Sequence, residues 1–241
     1  MDTIVVYIEN ENEHIDFIHS LNLLKIPHHR LFEGGEWKSL FHKLEIYLEG
    51  LKEIDNEWVI LSDSRDVLFY KDIETINNTY IKHYSEYDVV VQAEDTVHGC
   101  IGFQPYYKKG MRRFEFGDSD FKYVCSGLIM GKRLVLIEFL NELLQKLPSP
   151  WTEMGVDQPA VAWGMVNLSY KIGLDSERRL FQQMAQNGYM DGKRASIGTN
   201  YNLHFNKNFI KNTKTNTEPC VFHGAGNAFL SQVWKIINKK Y

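Results

Sequence analysis

A chain of 241 residues with 44% hydrophobic and 24% charged side chains is long and apolar enough to bury a sizeable core, which excludes a disordered or fibrous protein. A net charge of −4 and a pI near 6.1 exclude a field of one sign that would hold duplex nucleic acid through bulk charge. Three widely spaced cysteines, Cys100, Cys125 and Cys220, form neither a CxxC zinc pair nor the dense framework of a small secreted domain, and point to a reducing compartment.

The run "TIVVYIE", Thr3 to Glu9, is β-branched and apolar and predicts a first strand. It has no basic lead and no small-residue cleavage site, so it reads as a core strand, not as a signal peptide. No apolar run approaches membrane-spanning length, and a cytoplasmic protein is expected. Residues 10–24 then place Ile15, Phe17, Ile18, Leu21 and Leu24 close to helical spacing. Trp37 to Leu51 predicts a second amphipathic helix. "WVIL", from Trp58, is a buried strand that ends in "SDSRD". Residues 71–84 suit a third helix, and Asp88 to Glu94 another buried strand.

Beyond residue 120, "FKYVCSGLIMGK" reads as a strand interrupted at Ser-Gly, and "RLVLIEFLNELLQKL" as a helix stopped by Pro148 and Pro150. A helix begins near Asp157. "YKIGLDSERRLFQQM" holds a short strand and a polar turn. Residues 187–219 read as loop and weak strands. "PCVFHGAGNAF" is a last strand with a glycine turn, before a closing helix. Alternating helices and continuous apolar strands imply an α/β fold with a mostly parallel sheet covered on both faces. With no repeat or linker, residues 1–241 read as one domain.

In such sheets ligands sit outside the carboxyl ends of the strands. Asp63 and Asp66 fall at one end and Glu94 at another. Two carboxylates that close repel unless a positive group lies between them, and a hard divalent cation is one answer. The bland alternative is that Asp63 caps the next turn and Asp66 pairs with Arg65 or Lys71. His223, before "GAG", either ligates a metal or is a satisfied histidine in a glycine turn. Asp157 beside Gln158 reads as an N-cap without further role. Cys100 and Cys125 read as small packed hydrophobes.

The segments "VILSDSRDVLF", "VVVQAED", "YVCSGLIMG", "VDQPAVAW", "IGLDSERRLFQQM" and "CVFHGAG", with "EGGEW" ahead of them, resemble in order and spacing the glycosyltransferase domain of the multifunctional procollagen lysyl hydroxylases. The resemblance spans nearly the whole chain. It implies a GT-A type fold, a UDP-sugar donor (UDP-glucose or UDP-galactose) and Mn²⁺ or Mg²⁺. It implies that Asp63, Asp66 and His223 ligate the metal, that Trp37 lies near the nucleotide and that Gly224 and Gly226 lie near the diphosphate. Asp157 matches the end of the family's acidic run, and Ser126 and Gly127 its Ser-Gly.

The chain also departs from that pattern. Arg65 stands where the family carries an aromatic stacked on uracil, although a guanidinium also stacks. The acidic run is reduced to Asp157. Gly99, Cys100 and Ile101 replace a Cys-Trp-Pro, Cys125 replaces an Asn, and Ala225 replaces another. No lysine follows the last turn near Asn227 to Leu230.

The expected function is therefore metal-dependent transfer of a hexose to a hydroxyl acceptor, with retention. The acceptor is a glycan, a protein side chain or a modified base. Asp157 and Glu94 are the candidate catalytic carboxylates. The alternative is a degenerate protein of the same fold that binds a sugar nucleotide or glycan without turnover. Phosphoryl transfer ranks last, because no Walker-type loop or kinase signature is present.

Overall fold

The computed structural model describes residues 1–11, 14–95, 116, 118–153, 155–184, 202–206, 209–224 and 230–240. A six-stranded sheet forms the centre. Its strands are β1 (Thr3–Ile8), β2 (His28–Leu31), β3 (Trp58–Ser62), β5 (Val89–Glu94), β6 (Tyr123–Lys132) and β7 (Ile172–Asp175), in the order β2-β1-β3-β6-β5-β7. β1 runs parallel to β2 and β3, and β5 parallel to β7; β6 is antiparallel to both of its neighbours.

Alternation along each strand explains the two covered faces. Val6, Ile8, Val59 and Leu61 pack toward α2 (His42–Gly50), α4 (Arg133–Lys146) and α6 (Asp157–Asn167). Val5, Tyr7, Trp58 and Ile60 point the other way, onto α1 (Ile15–Leu23) and α3 (Ile73–Tyr84). In α4 the buried residues Leu136, Phe139, Leu140 and Leu143 keep the helical spacing expected of it. The helix stops because Leu147, ahead of Pro148, is extended. The one-turn α5 (Ser149–Thr152) follows.

A smaller three-stranded sheet, β4-β11-β8, joins β4 (Val67–Phe69), β8 (Phe181–Gln183) and β11 (Val221–His223). Val67, Phe69, Phe181 and Val221 pack in one cluster with Val5, Tyr7 and Ile60 of the main sheet. The closing helix α7 (Ser231–Lys240) buries Val233 and Ile237 against Leu68, Tyr70 and Phe222. The weak strands expected in the 187–219 region are β9 (Leu203–Phe205) and β10 (Ile210–Asn212), paired antiparallel. No described helix is long and apolar enough to cross a membrane.

Three expectations change in detail. The helix predicted from Trp37 begins at His42. Ser39 accepts the His42 amide on its hydroxyl at 3.2 Å, and the Phe41 amide bonds to Gly155. The apolar residues Trp37 and Leu40 are thereby left half-exposed, off the helix. The Ser-Gly pair does not interrupt β6. Gln92 pairs with Cys125 while Val91 pairs with Ile129, so Ser126 and Gly127 lie within a bulge of a continuous strand. Asp157 is the first residue of α6, and Val156, not Asp157, is the N-cap. Cys125 and Cys220 are buried free thiols, as small packed residues would be; Cys100 lies outside the described residues.

Candidate active site

The carboxyl ends of β1 and β3 open into a cleft of about 450 Å³. β3 ends at Ser62, and the next four residues turn before β4 carries the chain away. Asp63 is held in this turn by its amide, which donates to the Gly127 carbonyl at 2.8 Å. Asp66 is held by its carbonyl, which accepts the Gly224 amide at 2.6 Å. β11 pairs with β4 so that His223 lies opposite Val67. The small sheet thus carries the imidazole back to the aspartates.

His223 Nε2 lies 3.6 Å from Asp63 Oδ2 and 3.5 Å from Asp66 Oδ1. The three residues offer ligand atoms within 4.8 Å of one another. His223 Nδ1 faces Gln92 Oε1 at 2.8 Å. That oxygen only accepts, so Nδ1 donates to it, and this bond turns Nε2 toward the carboxylates. A side chain at position 127 would enter this cluster, since a Cβ there falls 2.6 Å from His223 Nδ1 and 2.9 Å from Asp63 Oδ2. Glycine is required here for close approach.

Lys43 completes the group. Its buried ammonium lies 2.9 Å from Asp63 and 2.5 Å from Asp157. Burial disfavours that charge, but Asp157 and Asp63 outweigh it and hold the lysine protonated well above its usual range. Burial raises Asp63 despite Lys43 and His223. It acts the same way on Asp66, where the charge and hydrogen bond of His223 prevail and lower the carboxyl. In His223 burial favours the neutral ring, and Asp66 and Cys125 outweigh it, raising the imidazole.

The partners of the bland alternative for Asp66 are engaged elsewhere. Arg65 pairs with Glu9 and Lys71 with Glu218. Trp37 and Arg65 both line the cleft. Trp37 packs edge-on to Phe32, and Arg65 is largely exposed. Gly224 is buried beside His223, with its amide engaged by Asp66; Gly226 lies outside the described residues.

Neither Asp157 nor Glu94 lines the cleft. Asp157 reaches it through Lys43. Glu94 is buried at the end of β5, where Gln158 donates to it at 2.5 Å and Gln183 at 3.4 Å. Sequence reasoning missed Lys43, Gln92 and Glu9. The first two had a signal. Lys43 stands one turn before Tyr47 on the buried stripe of α2, and Gln92 interrupts the apolar run from Val89 to Ala93.

Comparison with solved structures gives the class first. A glycosyltransferase involved in glycosylating the major capsid of PBCV-1 superposes with a TM-score of 0.52 at 10% identity, over 97% of this chain and 98% of that one. The galactosyltransferase LgtC aligns with a TM-score of 0.46 at 12% identity, over 98% and 95%. Mouse xyloside xylosyltransferase 1 aligns at 0.46 and 10%, over 94% and 98%. The fold is that of the GT-A glycosyltransferases. No curated protein matched the chain. The family model described as "PLOD GT domain" matches residues 25–236, and the chain belongs to that family of glycosyltransferases, as the order of its motifs implied.

Proposed function

We propose that the protein transfers a hexose from a UDP-sugar, glucose or galactose, to a hydroxyl acceptor, with a divalent cation and with retention at the anomeric carbon. The observation that carries this reading is the convergence of Asp63, Asp66 and His223 within 4.8 Å at the cleft. The donor set fits Mn²⁺ or Mg²⁺, because two carboxylates and a neutral imidazole suit such ions and leave positions for phosphate oxygens. Gly127 leaves the space, and burial holds the Asp63 carboxyl above its usual range despite Lys43 and His223. A cation bound there supplies the charge that stabilises a departing diphosphate.

The chain's own residues do the rest. Trp37 and Arg65 hold the nucleotide on the cleft wall. Lys43 presents its ammonium to the donor, and Asp157 orients Lys43 through their ion pair. Glu94, fixed by Gln158 and Gln183, is the second carboxylate assigned to catalysis, acting from outside the cleft lining. Gly224 and Gly226 keep side chains away from the diphosphate. The bond from the anomeric carbon to the diphosphate oxygen breaks, and a bond to the acceptor oxygen forms on the same face. The acceptor proton leaves on the diphosphate. The acceptor is a glycan, a protein side chain or a hydroxymethylated base, and residues 1–241 act as one catalytic unit.

Release of UDP from UDP-glucose and UDP-galactose, with Mn²⁺ and after chelation, tests this. Cation-dependent release that disappears in Asp66→Ala and His223→Ala is expected. Release that survives chelation, or variants that bind UDP with unchanged metal dependence, would overturn the site.

A further inference from the structure

Glu9 is a further buried carboxylate, and unlike Asp157 and Glu94 it lines the cleft. It follows β1 and has a side chain only 3% exposed. Its position is fixed by backbone bonds, from its own amide to the Leu31 carbonyl and from Arg30 Nε to its carbonyl at 3.0 Å. One carboxylate oxygen, Oε2, accepts the Ser64 hydroxyl at 2.9 Å. Among the described residues the other, Oε1, has only the outer nitrogen of Arg65 at 3.5 Å, on a side chain that is 64% exposed. A buried carboxylate with a loosely engaged oxygen is costly unless another donor reaches it.

We propose that Glu9 and Arg65 read the base of the donor nucleotide, selecting the keto–imide edge of uracil or guanine over the amino edge of cytosine or adenine. This rests on the nucleotide-sugar reading above. With the diphosphate at Asp63, Asp66 and His223, the base would lie against the part of the cleft lined by Ser64, Arg65 and Glu9 at the end of β1. A keto–imide edge offers a carbonyl acceptor next to an N–H donor. Arg65 donates to the carbonyl and Glu9 Oε1 accepts the N–H. Cytosine and adenine present the reverse order, so a ring-nitrogen lone pair would face the carboxylate and an amino group the guanidinium. A site built around such a match rejects the mismatched partner because its own polar groups are left unpaired. Arg65 thus supplies polar recognition of the base edge.

The test is calorimetric titration of UDP, GDP, CDP and ADP, with Mn²⁺, into the wild type, Glu9→Gln and Arg65→Ala. UDP or GDP should bind at least about tenfold tighter than CDP and ADP. The UDP and GDP titrations distinguish the two bases. Glu9→Gln keeps an acceptor for Ser64 but adds a rotatable amide donor, so it should narrow the gap by about tenfold while binding still requires Mn²⁺. Arg65→Ala, at an exposed side chain, should narrow it without loss of fold. Equal affinity of all four nucleotides in the wild type, or an unchanged gap in both variants, overturns base reading and leaves the donor site standing. Failure of all four to bind with Mn²⁺ present overturns the donor site and base reading together.

Discussion

The ammonium of Lys43 stands 2.5 Å from the carboxylate of Asp157, tying α2 to α6 beneath the cleft. The same ammonium reaches Asp63 at 2.9 Å. One buried cation therefore serves two carboxylates from distant parts of the chain. Removing one member of such a pair leaves a buried charge uncompensated, at a cost of about 3–5 kcal/mol. Lys43→Met should lower stability by that order in urea titrations. Adding Asp157→Asn should recover part of the loss, with a coupling of about 1 kcal/mol or more. Strictly additive losses would show that the two side chains do not interact in solution.

Gln92 acts on the site through His223. Its Oε1 holds Nδ1 and turns Nε2 toward Asp63 and Asp66. Outer partners of this kind are worth about 10–100-fold in metal affinity. Gln92→Leu should weaken Mn²⁺ binding by that factor, measured by calorimetry, with the circular dichroism spectrum retained. Unchanged affinity would mean that the imidazole is oriented without the glutamine.

These residues also show where sequence reading stops. Asp63 and Asp66 were legible because an apolar strand ends at them, and strand ends in α/β sheets are where ligands go. His223 was legible only as one of two alternatives, since nothing local says that β11 pairs with β4 and returns it to the aspartates. Lys43 and Glu9 went unread for the same reason. A lysine on a helix and a glutamate after a strand are ordinary until the topology buries both beside one cleft. The helix expected from Trp37 was too long because helical periodicity does not reveal that the Phe41 amide is taken by Gly155.

Gly127 carries a steric prediction. Its Cα faces the ring of His223, and an added methyl would fall 2.6 Å from Nδ1. Both neighbours are held, the ring by Gln92 and Asp63 by the Gly127 carbonyl itself. Overpacking of a fixed site costs about 1–3 kcal/mol. Gly127→Ala should lower the midpoint of thermal unfolding and also weaken Mn²⁺ binding, because the imidazole has to move. Loss of stability with Mn²⁺ affinity intact would place the strain elsewhere than on the ring.

Asp175 gives a pH dependence away from the cluster of Asp63, Asp66 and His223. It is wholly buried at the end of β7 and accepts the amides of Arg179, Leu180 and Phe181 at 2.7–2.9 Å, together with the Tyr84 hydroxyl. Burial raises its carboxyl to about 6, against these hydrogen bonds, which pull it down. In the unfolded chain it titrates near 3.8. Between those values the folded protein holds the proton more tightly than the unfolded one. The contribution is therefore full below about pH 4 and is lost as pH rises through 6, amounting to about 3 kcal/mol. Asp175→Asn has no carboxyl to titrate and offers one acceptor oxygen where two served four donors. It should be less stable at every pH, by about 1–3 kcal/mol for each donor left unpaired. The difference in unfolding free energy between wild type and variant should shrink from pH 4 to pH 7. A difference that stays flat over that range in urea titrations would show that the Asp175 carboxyl keeps its ordinary titration in the fold.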